Sequence, residues 1–147
     1  IRNYVYGVQT TRGIANGSDN YPVRSIQDHN YKLIWNLNYK EDFLCSSSKY
    51  GSKLYESWLN EAEVTKEEFE HAKLYRNRPE FELYDIKNDP YELKNLASVK
   101  SLEKIKDKLF ADLKIWMSSQ GDKGIETEWK ALTRFKGDTL NWKKGGD

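Results

Sequence analysis

Few side chains in this chain combine a reactive group with the spacing that a catalytic or metal site needs. The single cysteine lies in Cys45-Ser46-Ser47-Ser48-Lys49, and we interpret it as a small or partly buried structural thiol rather than a nucleophile. His29 and His71 have no second ligand at metal-binding spacing, so we expect both to be solvated. Three acidic pairs have general acid–base chemistry, but on charged helices and tails such pairs are typical of solvated faces. They are Glu61/Glu63, Glu67/Glu68 and Glu126/Glu128.

Two arginines have the geometry for specific contacts. Arg12 follows a predicted strand in Gln9-Thr10-Thr11-Arg12-Gly13, and its guanidinium can bind an oxyanion through two parallel hydrogen bonds. The alternative is an ordinary strand-to-loop turn with a solvated arginine. Arg24 lies in the middle of a predicted strand, and we interpret it as the partner of an acid such as Asp85 or Glu82 rather than as a ligand contact.

The most specific pattern is Glu82-Leu83-Tyr84-Asp85 followed by Asp89-Pro90-Tyr91-Glu92-Leu93-Lys94-Asn95-Leu96-Ala97. Residues 81–86 alternate apolar and charged side chains, as a half-buried strand does. Pro90 then fixes its own φ and disfavours a helical Asp89, so Asp85 and Asp89 are predicted to form a turn. Glu92 and Asn95 are placed to tie this loop to the next helix.

This pattern resembles the E-L-Y-D-x-x-x-D-P-x-E-x-x-N-L-A segment near the C-terminus of sulfatases, at every fixed position. Tyr21-Pro22-Val23-Arg24-Ser25-Ile26 and the stretch from Tyr31 to Asn38 resemble upstream strands of that family in the same order. These two stretches are most similar to the heparan N-sulfatase (N-sulfoglucosamine sulfohydrolase, sulfamidase) branch. The resemblance covers residues 4–129.

The resemblance implies that this chain is part of a longer parent chain, which carries the catalytic residues. Sulfatases convert the Cys or Ser of C/S-x-P-x-R to formylglycine and bind calcium, whereas Cys45 has neither the proline nor the arginine after it. We therefore expect no catalytic residue, metal ligand or cofactor here, and calcium and formylglycine in the parent chain. The chain would be inactive alone, with the N-terminal catalytic domain and a sulfated glycan as its partners. The start at Ile1, without a signal peptide, favours a fragment.

The family position of the first strand gives the candidate site. There, the strand leaves a large α/β domain close to the rim of the active site, which makes Gln9, Thr10, Thr11 and Arg12 candidate substrate contacts. Glycan-degrading sulfatases imply a periplasmic, lysosomal or secreted parent.

Composition limits other functions. The 147 residues carry 24 basic and 23 acidic side chains, a net charge of +1, so no field of one sign attracts nucleic acid or an anionic membrane. Acidic residues interrupt the lysines between Lys100 and Lys114, which disfavours nucleic-acid binding there. No apolar run is long enough to span a membrane. Aromatic residues make up 14% of the chain, which argues against disorder.

The patterns predict one α+β domain, and the resemblance implies that it is the C-terminal subdomain of the alkaline-phosphatase-like sulfatase fold. A small antiparallel sheet of three to four strands packs against a long helix over residues 101–119, with Gly121 as its C-terminal cap. Thr65 and Glu68 have capping-box spacing at the start of another helix. The predicted parts are residues 1–20 (strand and active-site-rim loop), 21–38 (hairpin), 39–78 (helical insert), 79–120 (strand, turn and long helix) and 121–147 (wrapping tail with a loose end).

A different class of function stays open: a free-standing carbohydrate-binding module without hydrolase activity. Trp58, Tyr75 and Trp142 are the residues that an exposed sugar-stacking platform would use.

Overall fold

The computed structural model describes residues 3–10, 21–43, 53–60 and 64–134. Four strands, four α-helices and one short 3-10 helix follow one another in these ranges. They are β1 (Val5–Gln9), β2 (Val23–Gln27), β3 (Tyr31–Asn36), α1 (Lys53–Trp58), α2 (Lys66–Arg76), β4 (Phe81–Asp85), a short 3-10 helix (Lys100–Leu102), α3 (Glu103–Ser119) and α4 (Ile125–Arg134).

The strands form one antiparallel sheet in the order β1-β2-β3-β4. Ile26 of β2 pairs with Tyr6 on one side and with Leu33 on the other, and Leu33 pairs with Leu83. Because side chains alternate along a strand, this register puts one apolar row on a single face of the sheet. The predicted hairpin and the third strand beside it are confirmed.

Helix α3 covers that face. Leu109, Leu113 and Met117 are buried and pack with Ile26, Leu33 and Leu83 as the core. Their spacing of four residues places them on one stripe of the helix, as predicted from the sequence. The helix ends at Ser119, and Gly121 follows two residues later with a φ of 69°, the left-handed conformation that commonly terminates helices. The predicted α+β class, with a small sheet packed against a long helix, is confirmed.

The insert over residues 39–78 contains the predicted helices α1 and α2. Thr65 caps α2, and its capping box with Glu68 is present as predicted. Within the insert, the backbone N–H of Phe43 donates to the carbonyl oxygen of Arg76 at 2.8 Å, which joins the start of the insert to the end of α2. The guanidinium of Arg78 lies 3.8 Å from the centroid of the Phe43 ring, a second contact, of the cation–π kind, between the two ends of the insert.

Two features differ from the sequence expectations. The resemblance placed the first strand in a large α/β domain, whereas β1 pairs with β2 here and forms an outer strand of the small sheet. The tail was predicted to wrap around the fold, with no helix assigned to it, whereas α4 spans Ile125–Arg134.

No helix in the described ranges is long and apolar enough to cross a membrane.

Candidate substrate-contact site at the end of β1

The predicted substrate contacts fall at the end of β1, where the chain leaves the sheet. Gln9 is the last residue of β1, and Thr10 follows it with its side chain exposed. Thr11 and Arg12 lie outside the described residues. The side-chain amide of Gln9 donates to the carbonyl oxygen of Tyr21 at 3.2 Å. Gln9 therefore bonds to Tyr21, two residues before β2, and the side-chain amide of Gln9 already has a partner within the protein.

Arg24 forms a hydrogen bond to the same end of β1. Its Nη1 donates to the carbonyl oxygen of Gln9 at 3.0 Å and to that of Val23 at 3.0 Å. Its Nε donates to Asp122 at 2.6 Å, and its Nη2 donates to Glu128 at 2.6 Å. Arg24 is only 2% exposed, so a buried guanidinium joins β1, the turn after α3 and helix α4.

The partners predicted for Arg24, Asp85 and Glu82, are wrong. Glu82 lies on the opposite face of the sheet, since Phe81 rather than Glu82 stands in the cross-strand row of Arg24 and Trp35. Its carboxylate accepts hydrogen bonds from Asn36 and Tyr84 instead. Asp85 shares the face of Arg24 but lies at the far end of β4, where its carboxylate accepts the bonds of the following turn.

The interpretation of Glu128 as part of a solvated face is also wrong. Glu128 is 3% exposed and pairs with Arg24, whereas Glu126 of the same acidic pair is exposed and bonds to Lys130. The two glutamates stand two residues apart on a helix and point to different sides. Asp122 and Glu128 are the ion-pair partners of Arg24, and the sequence patterns did not identify them.

Gly124 brings these two carboxylates to the sheet. Its φ is 66°, and a Cβ atom there would lie 2.7 Å from Cδ2 of Leu37. Only glycine fits this close approach without displacement. The Gly124 N–H donates to Oδ1 of Asp122 at 2.8 Å, which orients that carboxylate. The turn between α3 and α4 therefore positions both acids beside Arg24.

The electrostatics favour a permanently charged arginine. Burial opposes the charge of Arg24, but its hydrogen bonds to Asp122 and Glu128 outweigh burial and raise the pKa of Arg24. Burial likewise raises the pKa of Tyr21 to about 12, so this phenol is protonated at neutral pH. Because all three nitrogens of Arg24 already donate within the protein, the guanidinium acts as an anchor for β1 and not as a ligand contact.

The turn after β4 is built as its sequence predicts. Asp85 Oδ1 accepts from the N–H of Asn88 at 3.1 Å, and Asp89 Oδ2 accepts from the N–H of Lys94 at 2.9 Å. The hydrogen bonds from Asn88 hold the pKa of Asp85 below its usual value. Both aspartates are confirmed as turn formers.

The loop residues Glu92 and Asn95 tie the turn to the sheet, not to the next helix as predicted. Asn95 Oδ1 accepts from the N–H of Leu83 at 3.0 Å, and its Nδ2 donates to the carbonyl oxygen of Phe81 at 3.2 Å. Asn95 thus occupies backbone groups on the outer edge of β4, which protects this edge from pairing with another chain. Glu92 has a φ of 54° and pairs with Lys32 of β3 at 2.8 Å.

The remaining candidate residues do not join this site. His29 and His71 are both exposed. Within the described ranges, no group of three His, Cys, Asp or Glu side chains is placed to hold a metal ion. Trp58 and Tyr75 lie together on the helical insert at 6.3 Å between ring centroids. Cys45 and Trp142 lie outside the described residues.

Comparison with known proteins gives two curated relatives, both sulfatases. The ulvan-active sulfatase of Formosa agariphila is 38% identical over 122 residues, which is 83% of this chain and 22% of that protein. The N-sulphoglucosamine sulphohydrolase of Homo sapiens is 33% identical over 95 residues, which is 60% of this chain and 19% of that protein. The matched part spans about a fifth of the length of each relative. No protein-family model matches the chain. The resemblance to sulfatases is confirmed.

Proposed function

We propose that this chain is the C-terminal part of a sulfatase that acts on sulfated glycans, in which it supports the catalytic domain and contributes one wall of the substrate cleft. The observation that carries the proposal is the sequence relationship to two sulfatases, one of which matches 83% of the chain. The turn that resembles the family segment supports it, because Asp85, Asp89 and Asn95 each make structural hydrogen bonds there.

The chemistry belongs to the rest of the parent chain in this proposal. The described residues bring no group of three His, Cys, Asp or Glu side chains together. We assign calcium, the formylglycine nucleophile and the cleaved S–O or S–N bond to the catalytic domain on the N-terminal side. The parent is exported to the periplasm, a lysosome or the exterior, where sulfated glycans are degraded.

The contribution of this chain to substrate binding begins after β1. Gln9 is fixed through its carbonyl oxygen by Arg24 and through its amide by Tyr21. The backbone therefore leaves the sheet at Thr10 from a defined position, which is what a substrate-contacting segment on a rigid scaffold requires. We assign contacts with the substrate to Thr10, Thr11 and Arg12, with Arg12 as the cation that binds a sulfate or carboxylate group.

The first test is to read the gene upstream of the codon for Ile1. We expect one continuous reading frame that encodes C/S-x-P-x-R. The full-length protein should release sulfate from a sulfated glycan, and the 147-residue chain alone should not. A frame without this motif, or sulfate release by the repurified 147-residue chain, would overturn the proposal.

The second test concerns Arg12 in the full-length enzyme. Arg12→Ala should lower kcat/KM by about tenfold or more, since a lost hydrogen bond to a charged group costs roughly 1.5–3 kcal/mol. Arg76→Ala is the matched control, because Arg76 lies on the insert and its side chain pairs with Asp42 at the surface. Equal kinetic effects of the two variants would contradict the assignment of Arg12.

The alternative is a free-standing carbohydrate-binding module. It predicts a start codon directly upstream of Ile1 and glycan binding without sulfate release. The reading frame therefore separates the two functions directly.

A further inference from the structure

We propose that the helical insert binds one neutral sugar ring in the cavity between α1 and α2, stacked on Trp58. The cavity has a volume of about 290 Å³. Its lining combines an indole, a phenol, an imidazole and a carboxylate with two small apolar side chains. These residues are Trp58, Val64, Glu68, His71, Ala72 and Tyr75.

The indole of Trp58 is held by two aromatic neighbours, neither of which is stacked on it. Tyr55 and Tyr75 meet it nearly perpendicularly, at 73° and 84° with centroid distances of 6.4 and 6.3 Å. Such edge contacts fix the ring without stacking on it. Trp58 is 41% exposed, whereas Tyr55 beneath it is 7% exposed. A large aromatic side chain that is both fixed and accessible can stack on a ligand at little cost in conformational entropy.

The aromatic contacts continue from Trp58 into the fold. Tyr75 contacts Phe43 at 6.2 Å, and Phe43 contacts Tyr21 at 5.2 Å. Tyr21 is buried immediately before β2. The floor of the cavity is therefore connected to the sheet by packed rings, and its geometry does not depend on the short helix α1 alone.

Polar groups stand on the side of the cavity formed by α2. Glu68 and His71 are three residues apart, and Ala72 and Tyr75 continue the same helical face toward the floor. Glu68 Oε2 accepts from the N–H and the hydroxyl of Thr65, each at 2.7 Å. These bonds hold the pKa of Glu68 below its usual value, so a charged carboxylate with a fixed position faces the cavity.

This combination matches the two sides of a pyranose ring. One face of the ring presents C–H groups, which stack on an indole, and its edge presents hydroxyl groups. A carboxylate accepts hydrogen bonds from hydroxyl groups, and an imidazole can donate or accept. The cavity is at the lower end of the usual size for ligand sites, about 300–1,000 Å³, which suits a single ring.

The charge of the cavity lining selects a neutral ring over an anionic one. Among the described lining residues, Glu68 carries a carboxylate and none is a lysine or arginine, and Lys73 of α2 is paired with Glu70 at 3.2 Å. A sulfate or carboxylate on the sugar would stand beside the carboxylate of Glu68 and be repelled. The site is thus distinct in chemistry from the Arg12 contact proposed above, and it binds an unsulfated residue.

The test is a titration of the intact 147-residue chain by calorimetry and by NMR of the indole N–H signals. The probes are the methyl β-glycosides of glucose, galactose, xylose and N-acetylglucosamine, with a sulfated N-acetylglucosamine glycoside for comparison. We expect saturable binding of at least one neutral glycoside, with a Kd of about 1–10 mM, as the small contact area of one ring allows. The Trp58 signal should shift, and the sulfated glycoside should bind at least tenfold more weakly.

Two variants assign the site. Trp58→Ala should weaken binding at least tenfold, and Trp58→Phe should retain part of it because the phenyl ring still stacks. The control is Trp129→Ala, since Trp129 is 58% exposed on α4 and lies outside the cavity. The far-ultraviolet circular dichroism of each variant establishes that it is folded. The absence of binding by all four neutral glycosides, equal losses in the Trp58 and Trp129 variants, or tighter binding of the sulfated glycoside would overturn the proposal. All of these measurements use the 147-residue chain, so their results do not depend on what the gene encodes upstream of Ile1.

Discussion

Replacing Arg24 with methionine tests whether the buried ion-pair cluster holds the end of β1. Methionine keeps an unbranched side chain of similar length but removes every hydrogen-bond donor. The carboxylates of Glu128 and Asp122, which are 3% and 12% exposed, then lose this guanidinium. The carbonyl oxygen of Gln9 loses its bond to Nη1 as well.

The expected loss of stability is large because the cluster is buried. Removing one member of a buried ion pair costs about 3–5 kcal/mol, since the remaining charge stays desolvated. Domains of this size have a total stability of about 5–15 kcal/mol. With a urea m-value of about 1–3 kcal/mol/M, the unfolding midpoint should fall by roughly 1–5 M. Urea titration followed by circular dichroism measures this shift.

Arg76→Met is the matched control on the surface. Arg76 pairs with Asp42 at 2.7 Å, nearly the same distance, but both side chains are 40% exposed. Exposed ion pairs contribute about 0–1 kcal/mol, so this variant should unfold close to the wild-type midpoint. If Arg24→Met costs no more than Arg76→Met, burial is not what makes the Arg24 cluster stabilising, and the reasoning fails.

Three further variants test other contacts of the fold. Gly124→Ala should cost more stability in urea than Gly121→Ala: both residues have positive φ, but only at position 124 would the new Cβ meet another atom within 4 Å. Equal midpoints would contradict this. Asn95→Ala should lower the free energy of unfolding by about 1–3 kcal/mol, because it removes the side-chain hydrogen bonds to the outer edge of β4. A loss of less than about 0.5 kcal/mol in urea titration would contradict this role of Asn95. The pKa of Asp112 is lowered by hydrogen bonds from Tyr4 and Lys108, so its contribution is present above about pH 4 and is lost as the pH falls through its folded pKa. The melting temperature should therefore fall less for Asp112→Asn than for the wild type when the pH is lowered from neutral to acidic.

The elements that local patterns specify were predictable from the sequence. Alternation in residues 81–86 and four-residue spacing from Leu109 to Met117 depend only on which face of a strand or helix is buried. The capping box of Thr65 and the turn at Asp89 depend on side chains that bond to backbone a few residues away. For such features the sequence contains both partners side by side.

The anchor of the candidate site was not predictable in this way. Arg24 is separated from Asp122 by 98 residues and from Glu128 by 104, and no periodicity connects them. Arg24 and its two partners come together because α3 crosses the sheet and the chain turns tightly at Gly124, and both features result from tertiary packing. The predicted partners Asp85 and Glu82 lie on β4, which β3 separates from β2; Glu82 is on the opposite face, and Asp85 is at the far end of the strand.

The misassigned partners change how the candidate site must be tested. Because Arg24 bonds to the carbonyl oxygen of Gln9 and not to a ligand, a loss of substrate binding in an Arg24 variant would show displacement of the β1 end, whereas the same loss in Arg12→Ala would show a missing contact. The two causes separate in the full-length enzyme through stability: Arg12→Ala should leave the unfolding midpoint unchanged, and Arg24→Met should lower it together with kcat/KM. A lowered midpoint with unchanged kcat/KM for Arg24→Met would mean that the position of the β1 end does not matter to the substrate, and the assignment of Thr10, Thr11 and Arg12 would lose its structural basis.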